Sequence, residues 1–260
     1  MKIKLVSLFL VFIATSGYAQ KLDVIKESAF NVGETLNYKF KYGFFTGAEA
    51  TLKVEATEFK YNNRETVRLV AQGKTSGTFD FFYKVRNRYE SYIDKTKFVP
   101  YLYTEEINES DYHRTDKVRF YPVERKITAK EGTFKITTDQ VFDLVSAYYF
   151  SRNIDLTSFN TGEKITLNYF LEDGITPLTI EYIGKEKIKT NMGYFNCRKY
   201  SPSIQPGRIF RSGSRLYLWI TDDDLHIPVK AQAELVVGSV TMEITGATGL
   251  KMPLKIVGKR

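Results

Sequence analysis

"SRLYLWITDDDLHIPVKAQAEL", residues 214–235, holds the chain's single tryptophan, three consecutive aspartates and one of its two histidines. Asp222, Asp223, Asp224 and His226 are residue types that ligate metals, so the stretch reads either as a metal or catalytic site or as a turn between two strands. Alternation decides for the turn. Arg215, Tyr217 and Trp219 share one face, and Leu216, Leu218 and Ile220 the other. Both faces are largely apolar, which predicts a central strand covered on both sides. Thr221 to Asp224 are turn formers, and Pro228 opens the next strand where its missing N–H is tolerated. Val229, Ala231, Ala233 and Leu235 then alternate with Lys230, Gln232 and Glu234. Consecutive aspartates point in different directions, the spaced calcium-loop pattern is absent, and no second histidine is near His226. The sequence therefore predicts no metal site and no cofactor.

Period-two patterning extends over the rest of the chain. Leu36, Tyr38, Phe40 and Tyr42 alternate with polar residues, and Ala48, Ala50, Leu52, Val54 and Ala56 do the same across a turn at 43–47. Further strands are predicted at 66–71, 88–94, 101–107, 117–121, 133–137, 164–171, 178–183, 194–199 and 239–245. Asn62-Asn63, Glu131-Gly132, Glu172-Asp173-Gly174 and Gln205-Pro206-Gly207 punctuate them with turn chemistry. One amphipathic helix is expected, opened by a capping box at Thr137-x-x-Gln140, with Val141, Leu144, Val145, Tyr148 and Tyr149 at helical spacing and Arg152 at its far end. The fold class is all-β, mainly antiparallel, an open barrel or sandwich-like curved sheet with that helix packed on or capping it. Residues 20–260 read as one domain, with a junction near 153–162.

The first nineteen residues read as a secretory leader: Lys2 and Lys4, an apolar run at 5–14, then Gly17 and Ala19 before a cut at Gln20. No cysteine follows the run, so a lipid-anchored N-terminus is not expected, and no later stretch is long and apolar enough for a membrane-spanning helix. These features predict an exported protein, periplasmic or secreted. The net charge of +8 comes from basic residues interleaved with acids, which fits a solvated surface or weak attraction to anionic lipid and speaks against a nucleic-acid partner. Cys197, the only cysteine, lies in an apolar aromatic stretch and reads as a buried small hydrophobe rather than a nucleophile.

No catalytic signature is present: no G-x-S-x-G, H-E-x-x-H, P-loop or dinucleotide fingerprint. Ser146 lacks a nearby base, and Asp111-Tyr-His113-Arg114 reads as a polar loop. The expectation is a protein that is not an enzyme. The small residues on one strand face either let a second layer approach or leave room for a ligand. On the second reading Ala50, Tyr148, Trp219 and Ala233 would line a site for a lipid or other apolar ligand. The competing reading is an assembly factor with a filled core, docking on an outer-membrane or envelope protein through aromatics at 81–83 or 101–103.

Three stretches carry a likeness: "FNVGETLNYKFKYGFFTGAEATLKV" (30–54), "DLVSAYYFSR" (143–152) and "LYLWITDDDLHIPVKAQAELVVGSVTMEI" (216–244). Within them stand Gly33, Glu34, Leu36 and Tyr38, then Ser146, Tyr149 and Arg152, then Trp219, Asp223 and Pro228. The chain resembles a bacterial exported family catalogued as domain of unknown function 3108. That resemblance implies an envelope location and an antiparallel β fold, and it supplies no catalytic residues. At the level of fold the plan is also similar to the open barrels that carry lipoproteins across the periplasm.

Overall fold

The computed structural model describes residues 27–171, 174–203, 214–235 and 238–258. The leader and the turn residues Glu172, Asp173, Gln205, Pro206 and Gly207 lie outside the described residues. The expected all-β fold is present as one antiparallel sheet of fourteen strands. The first meander is β1 (Thr35–Tyr42), β2 (Phe45–Tyr61), β3 (Arg64–Thr75), β4 (Arg86–Asp94), β5 (Pro100–Glu109), β6 (Tyr112–Tyr121), β7 (Lys126–Ala129) and β8 (Gly132–Lys135). The second is β9 (Lys164–Leu171), β10 (Gly174–Thr190), β11 (Gly193–Pro202), β12 (Leu216–Thr221), β13 (Pro228–Glu234) and β14 (Ser239–Thr248). Pairing of β1 with β14 joins the two meanders, so β8 and β9 form the two ends of the sheet.

Those ends meet. Phe170 of β9 stands 5.1 Å from Phe134 of β8 and 6.5 Å from Phe120 of β6, ring centre to ring centre, in edge-on contacts. The sheet is therefore curled almost to closure over an aromatic seam. Inside the curl lies the helix α2 (Leu144–Ser151). Val145 and Tyr149 join a core with Val54, Leu69, Ile93 and Phe120, while Ala147 and Phe150 join a second core with Ile165, Leu167, Tyr182 and Tyr200. The helix is thus apolar on opposite sides, as a plug enclosed by sheet must be, and not amphipathic with one buried stripe.

Its start also differs from the expected one. Phe142 N–H donates to Asn168 O at 2.9 Å and Phe142 O accepts from Phe170 N–H at 2.8 Å, so this backbone covers the β9 edge and cannot be helical. Thr138 bonds locally to Gln140 O. The cap is instead Asp143, whose Oδ1 accepts from Val145 and Ser146 N–H at 2.9 Å and whose Oδ2 accepts from Ser91 at 2.6 Å. Ser146 closes a capping box onto Asp143 N–H. Two more elements escaped the sequence reading: β7, only four residues long, and a five-residue helix α1 (Thr78–Phe82). The supposed polar loop at 111–114 supplies the start of β6.

One ion pair ties the plug to the sheet. Arg152, at the C-cap of α2, and Glu34, just before β1, are both almost fully buried. Nη1 and Nη2 of Arg152 donate to the two Glu34 oxygens at 2.5 and 3.0 Å. Nε donates to Leu225 O at 3.1 Å, Nη2 also reaches Ala29 O at 3.2 Å, and the rings of Phe30 and Tyr149 flank the guanidinium. Burial disfavours the cation, yet the bond from Glu34 outweighs it and holds Arg152 protonated. Next to it, Asn153 accepts from Ala29 N–H at 2.8 Å and donates to Tyr149 O. Arg152→Met should cost about 3–5 kcal/mol in urea unfolding, because it strands a buried carboxylate. Glu34→Gln with Arg152→Met should recover much of that loss; additive costs in the double-mutant cycle would refute the coupling.

Candidate functional site

The face of the sheet that carries α2 can be followed strand by strand. Leu218 pairs with Ala231, Ala231 with Met242, Met242 with Phe40, and Phe40 with Ala48. This apolar row spans β12, β13, β14, β1 and β2. Towards α2 the next row is Ile244, Tyr38, Ala50 and Gly73. Away from it lie Leu216, Ala233, Val240, Tyr42 and Phe45. Tyr38 and Ile244 are buried, with the Tyr38 and Tyr148 hydroxyls 3.5 Å apart. Beyond them the filling stops: Phe40, Ala48, Ala50, Leu218, Ala231, Ala233, Val240 and Met242 are all only half-buried. The concave face is therefore packed by α2 at one end and is apolar, small-residued and half-open at the other.

The structure brings three of the four predicted ligand residues to this face. Ala50 pairs with Tyr38, whose hydroxyl meets Tyr148 of α2, and Ala233 lies on the same face beyond Ala231. Trp219 is the correction. It pairs with Lys199 and Lys230, on the opposite face. There its indole N–H donates to Glu186 at 3.0 Å, and the ammonium groups of Lys199 and Lys230 lie 4.9 and 5.2 Å from its ring. The pairing sequence continues outward as Lys230, Glu243, Lys39, Glu49 and Lys74, a row of alternating sign. This row of the outer face is charged, and Trp219 lies on that side, itself buried at 5% exposure in a core shared with Ile188, Phe195 and Cys197. Cys197 is buried as expected, and burial pushes its thiol up to about 12.

A cleft of about 230 Å³, mostly apolar but holding three charged side chains, interrupts the inner face between β4–β6 and the β9 end. Its walls include Tyr89, Tyr103, Leu144 and Phe170. Arg114 bridges Glu105 at 3.2 Å and Asp116 at 2.9 Å, and Tyr103 OH donates to Glu105 at 3.0 Å. Burial first and the Glu105 charge second raise the Tyr103 phenol, so it stays a donor and cannot serve as a base near neutrality. Sequence reasoning missed this cluster by placing Arg114 in a loop. Extending the phase of Val118 and Phe120 back through Asp116 to Arg114 would have found it.

The acidic stretch is a turn, with the carboxylates of Asp222 and Asp223 engaged separately. Asp222 takes Arg198 and Lys185, each at 2.7 Å. Asp223 accepts from Thr221 Oγ1 at 2.7 Å and Leu225 N–H at 3.1 Å. His226, at φ 45°, places Nδ1 2.7 Å from the Arg152 carbonyl oxygen, so that nitrogen carries the proton. The turn is thereby part of the Arg152 node.

A family model described as protein of unknown function (DUF3108) matches residues 37–245, and the chain belongs to that family. No curated protein matches in sequence. Among solved structures, a β-barrel-like protein of domain of unknown function DUF1849 from Brucella abortus is similar in fold, with TM-score 0.55, 7% identity, and coverage of 86% of this chain and 98% of that one. A Bacteroides fragilis protein with a YmcC-like fold gives TM-score 0.38 at 11% identity, covering 85% and 100%. A hypothetical protein from Chlamydia trachomatis gives TM-score 0.38 at 6% identity, covering 88% and 96%.

His226 supplies a pH test. Burial lowers its affinity for a proton, so the unfolded chain binds that proton more readily than the fold does. Its contribution to stability is full above the ordinary histidine range and is lost as pH falls through that range. His226→Gln should flatten this part of the stability profile in urea titrations at neutral and mildly acidic pH. A parent profile that the substitution leaves unchanged would refute the assignment.

Proposed function

We propose that this DUF3108 protein binds an apolar, lipid-like ligand, an acyl chain, on the concave face beside α2, and that it does so without catalysing a reaction on it. One observation carries this reading: the five-strand row from Leu218 to Ala48 is wholly apolar yet only half-buried, while on the same face Tyr38 and Ile244, towards α2, are buried. An apolar concavity enclosed by a sheet with a charged outer face suits a ligand that water excludes. Ala48, Ala50, Gly73 and Ala231 keep the floor low, and side chains flank it at Phe40, Met242 and Leu218. The Tyr38–Tyr148 hydroxyl pair ends the apolar stretch with polar atoms. The leader read in the sequence supports a cell-envelope location for this carrier.

The test uses protein from the periplasmic extract, where the leader predicts a start at Gln20, stripped of lipid and titrated with a fluorescent fatty acid. Ala50→Phe and Ala231→Phe each place a ring in the concavity. Because these positions are half-open, both variants should fold, with urea midpoints near that of the parent, and both should bind the probe about tenfold more weakly or worse. Unchanged binding in folded variants would contradict the proposal. A parent that takes up no probe, with variants destabilised by about 1–3 kcal/mol, would mean a filled core instead.

A further inference from the structure

All five exposed phenylalanines among the described residues, Phe44, Phe45, Phe79, Phe81 and Phe82, lie on two neighbouring segments at one end of the sheet. Phe44 sits at the tip of a two-residue turn between Tyr42 and Phe45, with Gly43 at φ 58°. Phe81 and Phe82 end the short helix α1. The two segments touch: Ser76 N–H donates to Gly47 O at 3.1 Å, and the Phe79 ring stands 3.3 Å from where a Cβ on Gly47 would be. Phe44 is fully exposed, and Phe81, Phe82 and Phe45 are 86%, 76% and 71% exposed. An apolar cluster this exposed costs a soluble protein hydration free energy unless something covers it.

The surroundings say what covers it. Phe45 belongs to the outermost row of the concave face, in register with Tyr42, Val240 and Ala233, so the aromatics form the rim of the half-open apolar surface. Residues 39–49 and 77–86 carry Lys39, Lys41, Lys84 and Arg86 against Glu49 and Asp80. Arg86 holds Asp80 at 2.7 Å, Lys41 bonds Glu243 at 3.2 Å and Lys39 lies 4.0 Å from Glu49, which leaves the excess on Lys84, two residues from Phe82. Phenylalanine tips with Lys84 beside them match the layering of a bilayer surface, apolar rings at the acyl boundary and an ammonium group at the phosphates. A protein partner would call instead for a shaped patch with polar groups to pair, and these tips are rings without polar atoms.

We propose that this rim docks on an anionic phospholipid bilayer, with Phe44, Phe45, Phe81 and Phe82 entering the headgroup boundary and Lys84 meeting lipid phosphates. Docking stands on the patch alone. Its purpose, passage of an acyl chain between the bilayer and the concave face, rests on the function proposed above.

Flotation with phosphatidylcholine–phosphatidylglycerol vesicles tests it. The full chain should float with the vesicles, less so in high salt and less with Lys84→Glu. F44S/F45S/F81S/F82S changes only exposed side chains, should keep the parent's circular dichroism, and should bind vesicles at least about tenfold more weakly. A quadruple variant that floats like the parent overturns the proposal. So does a parent that stays in solution, whether it works alone or docks on a protein. The fatty-acid titration in water separates the two claims. If the quadruple variant keeps probe uptake but loses flotation, both stand. If the parent floats but takes up no probe, docking stands and the ligand reading fails.

Discussion

Glu34 and Arg152 hold the molecule together at the point where three distant stretches meet. Removing two charges from water is costly, so such a pair is tolerated only where geometry and extra hydrogen bonds offset the loss. Here the guanidinium uses both arms on one carboxylate and gives its remaining reach to Ala29 O and Leu225 O. Its own carbonyl takes the His226 ring. The entry to β1, the end of α2 and the turn before β13 are fixed to one another by a single side chain. The helix has no free choice of depth inside the curl, and the depth of the helix decides how much of the concave face stays open.

The rest of the architecture follows from that placement. Fourteen strands in one antiparallel sheet would leave two raw edges. The aromatic seam of Phe134, Phe120 and Phe170 brings them together, and Phe142 pairs the β9 edge before the helix begins. Outside, alternating charges in register keep the surface wet. Inside, α2 fills the space among Val54, Leu69, Ile93, Leu167 and Tyr200. What α2 does not reach is lined by alanine, glycine, Met242, Phe40 and Leu218. The apolar surface and the rim of exposed phenylalanines lie on continuous strands, which links the two proposals physically.

Much of this was legible from alternation alone. Strands β9 and β14 begin at the predicted residues, and the acidic stretch is the turn its residue types predicted. The three stretches that carry the family likeness converge in space, which no spacing rule could show. Failures have physical causes. Val141 and Phe142 continue the helical spacing of Val145 and Tyr149, but the Phe142 backbone is taken by the β9 edge. Trp219 was grouped with Ala50 because facing cannot be carried from strand to strand without the register, and bulges between Trp219 and Ile220 and between Phe40 and Lys41 break a simple count. Of the two aromatic surfaces expected, 81–83 is exposed. Tyr101 and Tyr103 are buried, the first stacked on Tyr61 at 4.1 Å and bonded to Asp94.

The most direct test of the central claim is residue-resolved. Protein with ¹³C-labelled alanine methyl groups would be titrated with a fatty acid carrying a nitroxide on its chain, and methyl broadening followed by NMR. The account predicts strongest broadening at Ala48, Ala50, Ala231 and Ala233, with Ala29 and Ala129 far less affected. No broadening at any methyl, or broadening centred away from the β13–β14–β1–β2 face, would contradict it.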